Sequence, residues 1–461
     1  MKKTLLATIL VAALGGMQSA NATNWLALQN NEAPDAPTYR FWGFIQPQYV
    51  YNEGGAVNGI TAPASLQKYN GQTALFNLVA PDQSNQDQLQ IYRARGGVRG
   101  AIPDTRINYF LLGEAGNNGL TRADPVVFSD ATVTFNYIPG ARIRVGLGRL
   151  PLGEEAMTGV TAIDYNNFSN VTDSLLNERF VIPYANTGRL HAPVLGVPLA
   201  SSQIDGGVGG FRDIGIEAYD WFRQGRWEYS YALMAGNGTG TNFVDGHGNY
   251  DVSGRLQASY IWGGKGPKRE DVSAYLWHQE GKRDFGGTTY DRMREGAGFK
   301  YLRNGIRLSG EYIQAKGMIF IGPNPPFNDL GGNTSAGSAF EPVTLVALDN
   351  SNKADGYYLE GGWRFARQWE ADLRYDYLDR LSNSSYDERK FTTWTLGTQY
   401  FYSPTLHFTL NYEIRKLESP AITTPGATGT STAQTQTQLT DANIIGNTMG
   451  NRISLMATWV F

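Results

Sequence analysis

The chain has 461 residues, no cysteine and a formal net charge of −3, and only 18% of its residues are charged. The missing cysteines exclude a disulfide framework and cysteine-based metal or redox chemistry, and the charge excludes a global basic footprint for nucleic acid. The 55 glycines, 26 tyrosines and 10 tryptophans favour a membrane β-barrel, where glycine suits curved strands and Tyr and Trp form interfacial girdles.

The N-terminus has the pattern of a secretory signal. Lys2 and Lys3 precede an apolar run over residues 5–14, and Ala20-Asn21-Ala22 fits a cleavage site of small residues. We predict a cleaved signal peptide over residues 1–22, a short periplasmic lead-in over residues 23–39 and a single barrel domain over residues 40–461. The alternative, an N-terminal anchor helix, would need about 20 apolar residues.

Sixteen later segments alternate apolar and polar residues, as the strands of a barrel do. Their connections are alternately short and long, which an even-numbered barrel with both termini in the periplasm requires. The sequence therefore predicts an all-β fold, a transmembrane antiparallel β-barrel of about 16 strands. The predicted strands are 40–51, 89–102, 106–115, 126–138, 142–151, 212–222, 226–236, 250–262, 270–280, 290–302, 305–316, 354–366, 368–380, 390–403, 405–417 and 450–461.

Polar faces of these strands should line a water-filled lumen. In QLQIYRARGGVRG (residues 88–100), Tyr92, Ala94 and Val98 are predicted to face lipid, because arginines there would cost about 2–4 kcal/mol each near the midplane. The predicted pore-lining, anion-attracting residues are Arg93, Arg95, Arg99, Arg142, Arg144, Arg292, Arg294, Lys300 and Arg307. The alternative is that these cations only pair with inward carboxylates.

The longest connection, residues 152–211, is the third outer loop. Long ordered loops are usually functional, and its apolar pieces should prefer burial. We predict that it folds into the lumen as a constriction. Its charged residues are Glu154, Glu155, Asp164, Asp173, Glu178, Arg179 and Arg189.

The last strand ends NRISLMATWVF, with Trp459 and Phe461 on its apolar face. An alternating strand that closes on an aromatic resembles the assembly signal of bacterial outer-membrane barrels. We therefore expect the chain to lie in the outer membrane, in contact with lipid, and to be inserted by the barrel-assembly machinery through this strand.

Three segments resemble the phosphate-selective porin O/P family. They are RIRVGLGRLPLGE (142–154), YSYALMAGNGTGTNFVDGHGNYDVSGR (229–255) and DGYYLEGGWRFARQWEADLRYDY (355–377). The resemblance implies a sixteen-stranded, trimeric channel that favours anions. In phosphate-binding members lysines and arginines line the eyelet, whereas most of the nine lysines after residue 22 lie in predicted turns or loops.

The sequence thus predicts a porin for passive diffusion of small hydrophilic solutes, with a preference for anions such as phosphate or other oxyanions, and without cofactor or metal. A general, sugar or organic-acid porin without anion specificity stays open, as does a barrel sheath for a periplasmic partner protein. An enzyme is disfavoured, because the chain has neither a Gly-x-Ser-x-Gly elbow nor a His-Glu-x-x-His motif.

Overall fold

The computed structural model describes residues 37–61, 86–116, 126–177, 211–238, 249–264, 269–285, 288–322, 349–384, 388–420 and 432–461, with isolated positions between them at 67, 70–71, 118, 182–183, 190–191, 240 and 345–347. The predicted signal peptide (1–22) and nearly all of the predicted lead-in (23–39) lie outside these residues. So do Glu178, Arg179 and Arg189 of the long loop.

Sixteen strands form one closed barrel, in which every strand pairs antiparallel with its sequence neighbours and the first pairs with the last. Each predicted strand is present, so the predicted fold class is confirmed. The strands are β1 (Arg40–Asn52), β2 (Asp87–Ala101), β3 (Ile107–Ala115), β4 (Val127–Ile138), β5 (Ala141–Arg149), β6 (Arg212–Gln224), β7 (Trp227–Gly236), β8 (Asp251–Gly263), β9 (Glu270–Phe285), β10 (Thr288–Arg303), β11 (Ile306–Gly317), β12 (Lys353–Ala366), β13 (Trp369–Arg380), β14 (Arg389–Phe401), β15 (Leu406–Glu418) and β16 (Arg452–Val460).

The two faces of each strand differ in the sense expected for a barrel in lipid. On β13, the apolar side chains of Trp369 and Leu373 are exposed, while Asp372 and Arg374 are buried inside the ring. Apolar residues outside and charged residues inside invert the arrangement of a soluble protein. Among the described residues, no helix is both long and apolar enough to cross a membrane.

A tight turn and a close backbone approach explain two of the glycines. The β10–β11 turn is Asn304-Gly305, with φ of 51° and 76°, the type of pair that two-residue hairpin turns require. At the seam, Gly43 exchanges backbone hydrogen bonds with Phe461, and a Cβ at Gly43 would lie 2.7 Å from the ring of Phe461. Phe461 itself is 64% exposed on the outer face.

One predicted side-chain direction is wrong. Tyr92 does not face lipid: it is only 1% exposed, and its ring lies under the guanidinium of Arg93. The β1–β2 register shifts here, with Gln46 opposite Arg93 but Pro47 opposite Ile91. Proline cannot donate a ladder hydrogen bond, and such positions accommodate a bulge. From Arg93 onward the prediction holds, and Arg93 and Arg95 point toward the lumen.

The connection between β15 and β16 contains a helix, α1 (Thr432–Asn447), which the sequence analysis did not predict. Its residues Leu439, Ala442 and Ile445 are buried. Gly446 lies against Leu417, where a Cβ would be 3.1 Å from the Leu417 carbonyl oxygen. The helix therefore packs on the end of β15.

Candidate functional site: the lumen around the long loop

The described start of the long loop, residues 150–177, contacts inward-facing side chains from several strands. Its first contact is with β8, where Arg255 donates to the carbonyl oxygen of Leu152 at 2.6 Å and pairs with Glu154 at 2.8 Å. Lys300 on β10 pairs with the other Glu154 oxygen at 2.8 Å. Burial of Glu154 raises its pKa, but the two cations outweigh burial and lower the pKa to about 2.

The buried carboxylate of Glu311, on β11, binds the same part of the loop. Glu311 accepts hydrogen bonds from the Glu154 backbone N–H at 3.0 Å, from the Trp277 indole at 2.6 Å and from the Tyr358 hydroxyl at 2.9 Å. A Cβ at Gly153 would lie 2.5 Å from a Glu311 oxygen, so a side chain there would displace the Glu311 carboxylate. Three satisfied donors around one buried carboxylate fix the position of the loop.

Arg374 on β13 forms a second anchor. It pairs with Glu155 at 3.3 Å and donates to the carbonyl oxygens of Asn167 at 3.0 Å and Phe168 at 3.3 Å. Glu155 also accepts from the backbone N–H of Ser169 at 3.0 Å. The loop is thus tied to itself and to the wall through one arginine.

The third anchor reaches the last two strands. The Asn166 backbone N–H donates to Asn411 on β15 at 2.7 Å, and its side chain donates to the Ser454 carbonyl on β16 at 2.9 Å. The side chain of Asn167 donates to Glu413 at 3.0 Å. Side chains of the loop therefore bond to strands from β8 around to β16.

Against β1–β6 the loop leaves space. Two cavities lie there between the wall and the loop, one of about 300 Å³ and one of about 30 Å³. Their charged lining consists of six arginines and three carboxylates: Arg93, Arg95, Arg99, Arg144, Arg149, Arg212, Glu114, Asp130 and Glu155. We call this set the arginine side; its arginines outnumber its carboxylates.

Some of these arginines pair with carboxylates on neighbouring strands. Arg95 pairs with Glu114 at 2.7 Å, Arg212 pairs with Asp130 at 3.2 Å, and Arg144 pairs with Glu217. Pairing of inward cations with inward carboxylates, the alternative that the sequence left open, is therefore present. The arginines of the arginine side still outnumber the carboxylates.

Arg149 and Arg93 are held differently. Arg149 donates to the loop carbonyl oxygens of Ala156, Met157 and Thr158 at 3.0–3.2 Å. Arg93 donates to Gln46 at 3.1 Å, and the same Gln46 reaches the Val160 carbonyl at 3.4 Å. Backbone carbonyls carry no net charge, so these contacts do not cancel the arginines.

The opposite wall has the reverse balance. Arg307 on β11 is surrounded by four carboxylates, with N–O distances of 3.1 Å to Asp164, 3.6 Å to Glu360, 3.3 Å to Glu370 and 2.6 Å to Asp372. We call this set the acidic side. That Arg307 attracts anions stays a prediction, and the four carboxyl groups around its guanidinium oppose it.

Two other predicted pore-lining residues line neither cavity. Arg294 is 0% exposed and donates to the carbonyl oxygens of Leu175 at 2.9 Å and Met318 at 2.6 Å. Arg292 is also buried, with its guanidinium 3.6 Å from Asp251. Both act on neighbouring chain segments, because backbone carbonyls and a carboxylate already surround their donors.

The remaining predicted residues lie apart from the arginine side. Arg142 pairs with Asp220 at 2.6 Å and stacks on Trp221. Lys300 pairs with Glu154. Asp173 is buried and accepts a hydrogen bond from Asn177 at 2.7 Å. Trp459 and Phe461 lie on the outer face.

Sequence reasoning missed four important arginines, namely Arg149, Arg212, Arg255 and Arg374. The strict alternation of β13 does place Arg374 inside, and Arg149 stands at the end of β5 directly before the loop. The loop partners of Arg255 and Arg374 lie more than a hundred residues away in the sequence. No local pattern therefore reveals these contacts.

Comparisons with known proteins agree with the barrel fold. The sequence profile described as phosphate-selective porin O and P matches residues 347–440, which confirms the predicted resemblance over that part of the chain. No curated protein matches the chain significantly.

Solved structures superpose on most of this chain. The anion-selective porin from Comamonas acidovorans superposes with a TM-score of 0.51 at 16% identity, covering 93% of this chain and 100% of that one. OmpT of Vibrio cholerae gives 0.48 at 9% identity, covering 94% and 99%. OmpF of Salmonella typhi, in complex with daunomycin, gives 0.47 at 12% identity, covering 92% and 97%. The family match and the barrel together indicate an outer-membrane channel protein of the porin class.

Proposed function

We propose that this porin is an anion-preferring diffusion channel for small hydrophilic solutes, with its passage between the long loop and the arginine side. The observation that carries the proposal is the balance of charge around the two cavities, six arginines against three lining carboxylates and Glu217, the partner of Arg144. Walls of low dielectric constant concentrate the field of such groups and bias passing ions by sign.

In this proposal the loop is the constriction. Among the described loop residues, Glu154, Glu155 and Asp164 pair with arginines or a lysine of β8–β13. Most of the loop's negative charge therefore lies toward that wall, and only Glu155 of the three also lines the smaller cavity. What it turns toward the other wall is mainly backbone carbonyl and apolar surface, which opposes anions less than carboxylates would.

A second candidate is a general diffusion channel without net selectivity. The acidic side around Arg307 favours it, because four carboxyl groups surround one arginine there, and β11 lies eight strands from β3 in the ring of sixteen. Two opposed walls of opposite charge would impose a transverse field on polar solutes and discriminate little between ions.

The reversal potential in a KCl gradient separates the two candidates. The purified full chain in a planar bilayer should give a potential whose sign shows chloride to be more permeable than potassium. A potential near zero supports the general channel, and the opposite sign refutes the anion proposal. Absence of any conductance would favour the sheath for a periplasmic partner.

The proposal also includes a homotrimer in the outer membrane, exported with a signal peptide cleaved after residue 22. Support for the trimer is the resemblance to the porin O/P family, and support for export is the N-terminal sequence pattern. Chemical cross-linking in outer-membrane fractions should give a band at three times the monomer mass, and N-terminal sequencing should begin at Thr23. A monomer band alone, or a retained N-terminus, would contradict these two points respectively.

A further inference from the structure

We propose that the larger cavity on the arginine side is a binding site for carboxylates that carry an aromatic ring. The inference rests on the proposed function and names a solute class for the same passage. It comes from an apolar patch on the inner wall, where a water-filled barrel is expected to present polar side chains.

The patch is built from three neighbouring strands. Trp42 on β1 and Phe110 on β3 stack across β2 with ring centroids 6.1 Å apart and planes 15° apart, and Phe44 lies beside Trp42 at 6.3 Å. Leu112 and Val460 extend the same surface of the cavity. The patch therefore continues over the seam between β1 and β16.

A glycine on the intervening strand makes the stacking possible. Gly97 of β2 is opposite Trp42 on one side and opposite Leu112 on the other. A Cβ at Gly97 would lie 2.9 Å from Leu112 Cδ1, so a side chain there would push the apolar groups apart. Leu112 instead occupies this position between the strands that carry the two rings.

Cations border the patch. The guanidinium carbon of Arg99 lies 5.9 Å from the Trp42 ring centroid, and that of Arg95 lies 5.7 Å from the Phe44 ring centroid. Arg144 and Arg149 also line this cavity, in which the one lining carboxylate is Asp130, paired with Arg212. A ring on Trp42 would thus place an attached carboxylate among guanidinium groups, which bind planar carboxylates well.

Size and chemistry select this class over inorganic oxyanions. A cavity of about 300 Å³ is at the lower end of the range for small-molecule sites. Phosphate or acetate could use the arginines but would gain nothing from the rings. An aromatic carboxylate uses both, and aromatic contacts contribute beyond simple area burial.

The test is inhibition of ion current through the full-length channel in planar bilayers, with benzoate, acetate and benzyl alcohol as probes. Benzoate should reduce the current at a concentration about tenfold lower than acetate, because only benzoate joins a ring to a carboxylate. Benzyl alcohol, which has the ring without the charge, should be as weak as acetate. Equal inhibition by benzoate and acetate would overturn the inference.

Trp42→Ala should raise the half-inhibiting concentration of benzoate about fivefold to tenfold and leave that of acetate unchanged. Trp363→Ala, which removes an indole from the outer face, is the matched control and should change neither value. If Trp42→Ala fails to fold, Phe110→Ala serves in its place, and the comparison of probes on the unmodified channel still decides. An equal change for both probes in Trp42→Ala would show that the patch is only packing.

The reversal potential keeps this inference distinct from the proposed function. Anion preference combined with equal inhibition by benzoate and acetate would overturn the site and leave the anion channel standing. Cation preference in the unmodified channel would overturn the proposed function, whatever benzoate does.

Discussion

The long loop meets the two sides of the barrel in different ways. Toward β8–β16, Arg255 and Arg374 pair with its buried carboxylates, and Glu311 accepts from one of its backbone N–H groups. Toward β1–β6 it offers mainly carbonyl oxygens and apolar side chains, and it leaves cavities lined by arginines. Arginine thus has two uses: on one side it fixes the loop, and on the other it lines the cavities.

The largest expected effect comes from breaking an anchor. Arg374→Ala removes the partner of Glu155 and leaves buried carboxylates without their cation, which should cost about 3–5 kcal/mol. The folded barrel should show a lower unfolding midpoint in guanidinium chloride, and its single-channel conductance should rise about twofold as the loop leaves the wall. Lys416→Ala is the control, because Lys416 and Glu418 form an exposed pair worth about 0.2–1 kcal/mol. Unchanged conductance in Arg374→Ala would show that the anchor does not hold a constriction.

The Glu154 anchor predicts a dependence on acid. Its pKa is lowered from 4.5 to about 2, so the ionised form is favoured in the folded state. The stabilisation, about 3 kcal/mol, is fully present above pH 4.5 and is lost as the pH falls through about 2. The difference in unfolding free energy between the unmodified chain and Glu154→Gln should therefore be constant above pH 4.5 and shrink below it. A difference that instead changes between pH 5 and 8 would contradict the assignment.

Neutralising the arginine side should change selectivity without opening the loop. Arg99→Gln removes a positive charge from the larger cavity, so the ratio of chloride to potassium permeability should fall about twofold. Arg303→Gln makes the same charge change at an arginine stacked on Trp262, away from the cavity, and should leave the ratio unchanged. If the two variants behave alike, net charge rather than this cavity determines the selectivity.

The smallest effect is expected on the acidic side. Asp372→Asn leaves Arg307 with three carboxylates in place of four, so anion permeability should rise by a few tens of per cent, and less than Arg99→Gln lowers it. Reversal potentials of both variants under the same gradient measure the two changes. Equal and opposite changes would favour the general channel with a transverse field.

Local sequence patterns predicted most of the fold and part of the site. Sixteen strands were predictable because alternation over about ten residues is a local property and lipid makes it strict. The bulge at Tyr92 was not predictable, because it depends on Pro47 in the neighbouring strand. Strand alternation placed both Arg95 and Arg307 inside the barrel, but their environments differ. Arg95 pairs with Glu114, whereas Arg307 lies beside several carboxylates: Asp164, Glu360 and Asp372. Which side chains meet across a sheet depends on the register between strands, and the sequence of one strand does not determine that register.

The ratio of chloride to potassium permeability at low and high salt tests the central claim most directly. If the arginine side selects the ions, chloride should be preferred at about 0.1 M salt, where charges act over about 10 Å, and the preference should weaken at about 1 M, where they act over about 3 Å. A preference for potassium at low salt, or a chloride preference that is the same at both concentrations, would contradict selection by the arginine side.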